Sequence, residues 1–177
     1  MLQFGMSSEG VRPPSLLVLP SYLISQVGRF GYRHLENYLS EHGLLLVHYA
    51  ILAALDDFGS LSQQQLACCL ATDKSHLVGR IDHLEERGLV ERTKDLTDRR
   101  RHQVTLTSEG NVLLGWLSPI AERSQQHFLE ALSGPERQTL VALLRRVLDA
   151  NDAARLAAGC DGVPRATDVD EQCVESR

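Results

Sequence analysis

Apolar residues recur at intervals of three and four along most of the chain, which predicts helices. Leu23, Val27, Phe30, His34 or Leu35, and Tyr38 share one face of a helix that begins after Pro20 and ends at His42 and Gly43. Residues 44–58 are apolar on most sides, with Leu45, Val47, Ile51, Leu52 and Leu55, the pattern of a buried helix that Gly59 stops. Ser62 and Gln65 have the spacing of a capping box, in which each satisfies the other's backbone N–H, so a short helix follows over 63–70. Asp73 can cap the next helix. There Leu77, Ile81 and Leu84 face inward, Lys74, Ser75, His76, Gly79 and Arg80 point elsewhere, and Gly88 is the stop.

After Gly88 the period changes. Residues 89–95 and 102–106 are β-competent, and the polar run 96–101 between them is the tip of a long hairpin. Thr107 occupies an N-cap position before a long helix marked by Leu113, Leu117, Ile120, Ser124, Phe128 and Leu132, with a kink expected at Pro119. Ser133, Pro135 and Glu136 open a last helix through Leu140, Leu143, Leu144, Val147 and Leu148, whose periodicity fades after Asn151.

Four helices, a hairpin and two more helices define the class: mainly α with a small β-hairpin wing. Two short helices followed by a β-ribbon form a winged helix-turn-helix lobe, placed at residues 44–107. Residues 21–43 and 108–150 form a helical dimerisation region, because they carry more apolar surface than one small lobe covers. Residues 1–20, with Ser7, Ser8, Gly10, Pro13, Pro14 and Pro20, read as a flexible arm. Residues 151–177 read as an acidic, disordered tail.

Composition narrows the class further. No apolar run among the 177 residues reaches membrane-spanning length, and the first ten residues have no basic region of the kind that opens a secretory signal, so a cytoplasmic protein with no membrane association is expected. Cys68, Cys69, Cys160 and Cys173 show no metal-ligand spacing and read as reduced, small apolar filler, with one of the adjacent pair in the core and the other half exposed. No metal or other cofactor is expected. No nucleophile elbow, phosphate-cradling glycine loop or paired-carboxylate cleft suggests an enzyme. Eighteen basic against 23 acidic residues leave a net charge of −5, which alone argues against nucleic acid. The tail from Asp149 onward, however, holds seven acids and three arginines, so most of the acidity lies outside the winged-helix lobe.

Within that lobe the basic and short polar residues are concentrated. A helix entering a major groove reaches base edges with the side chains near its N-terminus, and Lys74, Ser75, His76 and Arg80 fill those positions. The hairpin tip carries Asp98, Arg99, Arg100 and Arg101, the densest positive cluster in the chain. Arginines on a tip suit a narrow minor groove, and Asp98 can hold the Arg100 guanidinium in a fixed direction.

The run LVERTKDLTDRRRHQVTLTSEG at 89–110, preceded by DHLEERG at 82–88, resembles the signature of the MarR (multiple antibiotic resistance regulator) family of bacterial transcription regulators. The specific part is the Asp-x-Arg tip, the strand ending Leu-Thr, and Glu-Gly opening a long helix; the likeness extends from about residue 21 to 150. It implies a homodimer that places two recognition helices in successive major grooves of a pseudo-palindromic double-stranded operator. Arg100 would enter the minor groove braced by Asp98. Ser75, His76 and Arg80 would approach bases, and Lys74, Arg99 and Arg101 would hold phosphates. The family's small-molecule effectors, often phenolic or anionic aromatics, imply a cleft near Phe30, His34, Tyr49 and Trp116. The peroxide-sensing branch is disfavoured because no cysteine precedes Cys68. The zinc-sensing branch is disfavoured too, because Glu41 and His42 find no histidine pair over 111–116. Two alternatives remain open: a winged helix used only for protein interaction, and a redox response through Cys68 or Cys69.

Overall fold

A computed structural model describes residues 12–94 and 102–157. Its elements are α1 (Pro14–Leu17), α2 (Pro20–Gly31), α3 (Arg33–Glu41), α4 (Leu46–Phe58), β1 (Leu61–Ser62), α5 (Gln63–Cys69), α6 (Lys74–Glu86), β2 (Val90–Lys94), β3 (His102–Leu106), α7 (Ser108–Phe128) and α8 (Gly134–Ala157). The caps read from the sequence are in place. Ser62 and Gln65 exchange hydrogen bonds (2.8 and 3.2 Å), Asp73 Oδ1 accepts from Ser75 N–H (2.8 Å), and Thr107 Oγ1 accepts from Gly110 N–H (3.0 Å). Gly88 adopts φ +68°, the left-handed stop a glycine supplies at least cost.

Four features depart from the sequence reading. The first long helix is interrupted at Tyr32, where Gly31 packs against the Phe128 ring of α7; a Cβ on Gly31 would lie 3.1 Å from that ring. The distal part of the arm is partly helical: α1 precedes α2, and Arg12 Nη1 donates to Tyr22 Oη (3.1 Å) and Gln26 Oε1 (2.8 Å). A third strand joins the hairpin, with Leu61 opposite Val104 and Ser62 opposite Gln103, giving the antiparallel order β1-β3-β2. Finally, α8 continues to Ala157, seven residues into the segment assigned to the tail. Through Pro119, α7 is one helix; Ser118 Oγ donates to Leu114 O at 2.9 Å, in the turn where proline supplies no N–H.

The core lies where α4, α5, α6 and α7 meet the inner face of the sheet. Leu39, Leu44, Ile51, Leu52, Leu61, Leu66, Leu77, Ile81, Leu84 and Val104 are fully buried in it. Gly110 allows the start of α7 to lie against the β2 entry, since a Cβ there would stand 2.1 Å from Leu89 O. Among the described residues no single helix is long and apolar enough to cross a membrane.

The described cysteines follow the sequence reading in burial. Cys68 is buried and Cys69 half-buried, as adjacent helical positions require. Cys160 and Cys173 lie outside the described residues.

Candidate nucleic-acid interface

The recognition candidate α6 has a clean division of faces. Leu77, Ile81 and Leu84 are wholly buried, while Lys74, Ser75, His76, Val78, Gly79 and Arg80 are exposed. The four α6 residues singled out from the sequence are therefore brought together on one solvent face. Ser75 Oγ also donates to Asp73 Oδ1 (2.6 Å). Together the Ser75 hydroxyl and backbone N–H hold the Asp73 carboxyl below its ordinary pKa, so it stays ionised as the helix cap. The Ser75 hydroxyl proton is thus committed, and its lone pairs remain to accept a hydrogen bond from a partner.

Two devices hold α6 in orientation, and neither was read from the sequence. On one side Arg92 of β2 forms ion pairs with Asp82 and Glu85 of α6, and its backbone N–H donates to Glu85 Oε1 at 3.1 Å. Partial burial works against the Arg92 charge, but the two carboxylates outweigh it and raise the guanidinium pKa. β2 is thereby tied to α6. On the other side, His83 Nε2 donates to Gly43 O (3.1 Å) and Arg87 Nη1 donates to His42 O (2.7 Å), latching α6 to the turn between α3 and α4.

The His83 ring stacks on His48 of α4, with centroids 4.8 Å apart and planes 14° from parallel. His48 is 2% exposed, and its Nδ1 accepts the Leu45 N–H at the start of α4 (3.1 Å). Burial first, then the neighbouring His83, Arg80 and Arg87 charges, lower its pKa from 6.5 to about 4. A neutral His48 with Nδ1 as acceptor leaves Nε2 protonated, and that nitrogen has no hydrogen-bond partner among the described residues.

The wing residues Asp98, Arg99, Arg100 and Arg101 lie outside the described residues, which resume at His102. The flanking strands are registered from Val90 opposite Leu106 to Lys94 opposite His102.

The four effector candidates have separate surroundings. Phe30 lies under the Arg33 guanidinium (5.1 Å to the ring centroid), and His34 meets His127 edge to face at 5.0 Å. Tyr49 packs against the core, and Trp116 is 69% exposed on α7. A groove of about 420 Å³ lies nearby in the chain, lined by Glu36, Asn37, Ser40 and residues 44–47, and includes none of the four. Among the described residues no group of three His, Cys, Asp or Glu side chains is arranged to hold a metal ion.

Comparison with known proteins accounts for this arrangement. The MarR family pattern matches residues 44–102. The transcriptional regulator HosA of Escherichia coli O111:H- is 34% identical over 102 residues, covering 58% of this chain and 76% of HosA. The HTH-type transcriptional repressor NicR of Pseudomonas putida KT2440 is 32% identical over 111 residues, covering 63% of this chain and 70% of NicR. The structure of Bordetella bronchiseptica BpsR, whose DNA binding is regulated by 6-hydroxynicotinic acid, superposes with a TM-score of 0.66 at 28% identity, covering 72% of this chain and 96% of BpsR. The superposition takes in 96% of the BpsR chain, so the likeness extends beyond the stretch matched by the family pattern. The chain belongs to the MarR family of DNA-binding transcriptional regulators and is not an enzyme.

Proposed function

We propose that the protein is a homodimeric repressor that leaves a pseudo-palindromic operator when a phenolic or anionic aromatic small molecule binds. The observation that carries the DNA reading is the α6 face: Lys74, Ser75, His76 and Arg80 are all exposed on a helix whose other side is locked into the core. In this reading Ser75, His76 and Arg80 approach base edges, while Lys74, Arg99 and Arg101 hold phosphates. Arg100 enters the minor groove with Asp98 as its brace. Residues 44–107 supply DNA binding, and residues 21–43 with 108–150 supply the dimer. The exposed apolar residues of α2 and α8 support dimerisation, because an unpaired monomer would leave them in water.

The effector reading is supported by BpsR, whose DNA binding is regulated by a hydroxylated aromatic acid, and the repressor reading by NicR, named as a repressor. Phe30, His34, Tyr49 and Trp116 are the aromatic side chains proposed to contact the ligand. Acting on a bacterial chromosome places the protein in the cytoplasm. The test is operator binding at fixed salt for Arg80→Ala and Arg100→Ala. Each is expected to weaken binding by about 1 to 3 kcal/mol, and wild-type affinity in both would end the recognition model in favour of a protein-interaction role. Titrating hydroxylated benzoic and nicotinic acids into the protein–operator complex tests release, with Trp116, the chain's single tryptophan, as the fluorescent reporter.

A further inference from the structure

Two adjacent residues of α6 are poor choices for a solvent-facing helix. Val78 is 39% exposed, the one large apolar side chain exposed among the described residues between Leu46 and Thr107. Gly79 follows it in mid-helix, and a Cβ built there meets none of the described residues within 4 Å. Its backbone is ordinary right-handed helix, since Gly79 is not among the positive-φ glycines. Nothing among the described residues therefore requires glycine, and both valine and glycine are weaker helix formers than alanine. At 100° per residue Gly79 lies almost opposite the buried Leu77, Ile81 and Leu84, on the crest with Ser75 one turn earlier. Val78 lies on the flank between Lys74 and Asp82.

A missing Cβ on the crest lets the helix backbone come closer to whatever faces it. An exposed methyl pair beside that point is costly in water and favourable only against an apolar surface. In the major groove the apolar feature of a base edge is the thymine 5-methyl group. Resting on the reading that α6 occupies the major groove, we infer that Val78 and Gly79 form a close-approach apolar contact with a thymine 5-methyl in each operator half-site and so set base preference there.

The experiment uses the full chain and an operator recovered from random-sequence DNA, with each thymine replaced in turn by uracil and affinity measured at fixed salt. The expected result is one position per half-site where uracil weakens wild-type binding about fourfold, the value of one buried methyl group. In Val78→Ala the uracil penalty at that position disappears. Gly79→Ala is expected to raise the Tm of the free protein while weakening operator binding about tenfold, a pair of opposite changes that a merely structural glycine would not give. The inference is overturned if no thymine is sensitive in the wild type, if the penalty persists in Val78→Ala, or if Gly79→Ala binds as tightly as wild type. Arg80→Ala separates the two levels: weakened binding there with no uracil effect removes the thymine contact alone, whereas unchanged binding removes the groove placement with it.

Discussion

Gly110 shows how a single atom decides a junction. A Cβ at this position would stand 2.1 Å from the Leu89 carbonyl oxygen, a backbone atom, and 2.7 Å from a Leu106 methyl. The same carbonyl accepts the Thr107 N–H at 3.2 Å, so it cannot move aside without losing the seat of α7. Gly110→Ala is expected to destabilise the protein by about 2 to 3 kcal/mol, read as a lower denaturant midpoint at unchanged slope. His48 yields the second expectation. Its folded pKa of about 4 lies below the ordinary 6.5, so the unfolded chain binds a proton first, and stability present above pH 6.5 is lost as the pH falls toward 4. Between pH 7 and pH 5 this amounts to about 2 kcal/mol. His48→Asn keeps an acceptor for the Leu45 N–H and cannot titrate. Its unfolding free energy should be flatter over that interval, and an equally steep profile would assign the loss to other groups.

At the scale of elements, Arg92 ties β2 to α6 through Asp82 and Glu85. The two carboxylates are 47% and 38% exposed, so water takes up much of what Arg92 supplies, and removing it costs the fold at most about 1 kcal/mol. Arg92→Met is therefore expected to keep its thermal midpoint within a few degrees while binding operator about tenfold more weakly, because the wing is no longer registered against α6. Thermal melts and operator titrations on one preparation check both halves. The clamp was not legible beforehand, since its partners are seven and ten residues apart across a change from helix to strand. What was legible is local: the Ser62, Asp73 and Thr107 caps and the inward trio Leu77, Ile81 and Leu84 each depend on neighbours within a turn or two. β1 failed the same test. Two residues have no period, and Leu61 is a strand residue only because Val104, far along the chain, pairs with it. The break at Tyr32 likewise reflects the packing of Gly31 on Phe128 rather than a weakness in the local pattern. The exposed polar face of α6 was readable from residue type and position alone, whereas the surroundings of Phe30, His34, Tyr49 and Trp116 were not, because burial and pairing decide what such rings touch.

Over the whole molecule, exposed apolar surface is concentrated in the helices outside the winged-helix lobe. Leu23, Ile24, Val27 and Phe30 of α2 are exposed, as are Val141, Leu143, Leu144, Val147 and Leu148 of α8. The α8 residues recur at three and four, forming one broad stripe on a 24-residue helix that stands largely clear of the rest of the described chain. A helix of this length with a wet apolar stripe gains little from its own chain, so the proposed dimer must supply the cover. Replacing Leu144 and Val147 by glutamate removes two apolar side chains from each protomer, four across a two-fold interface. At about 1.5 kcal/mol or more for each buried side chain the loss is about 6 kcal/mol, a weakening of roughly four orders of magnitude before any cost of burying charge. The wild type is expected to sediment as a dimer at micromolar concentration with a concentration-dependent Tm, and the double variant as a monomer with a concentration-independent one. The lobe from α4 to β3 keeps its own core in that variant, so single half-sites should still bind while the gain from spanning both half-sites disappears. A double variant that remained dimeric and still gained affinity from the second half-site would place the dimer contact on a surface other than α8.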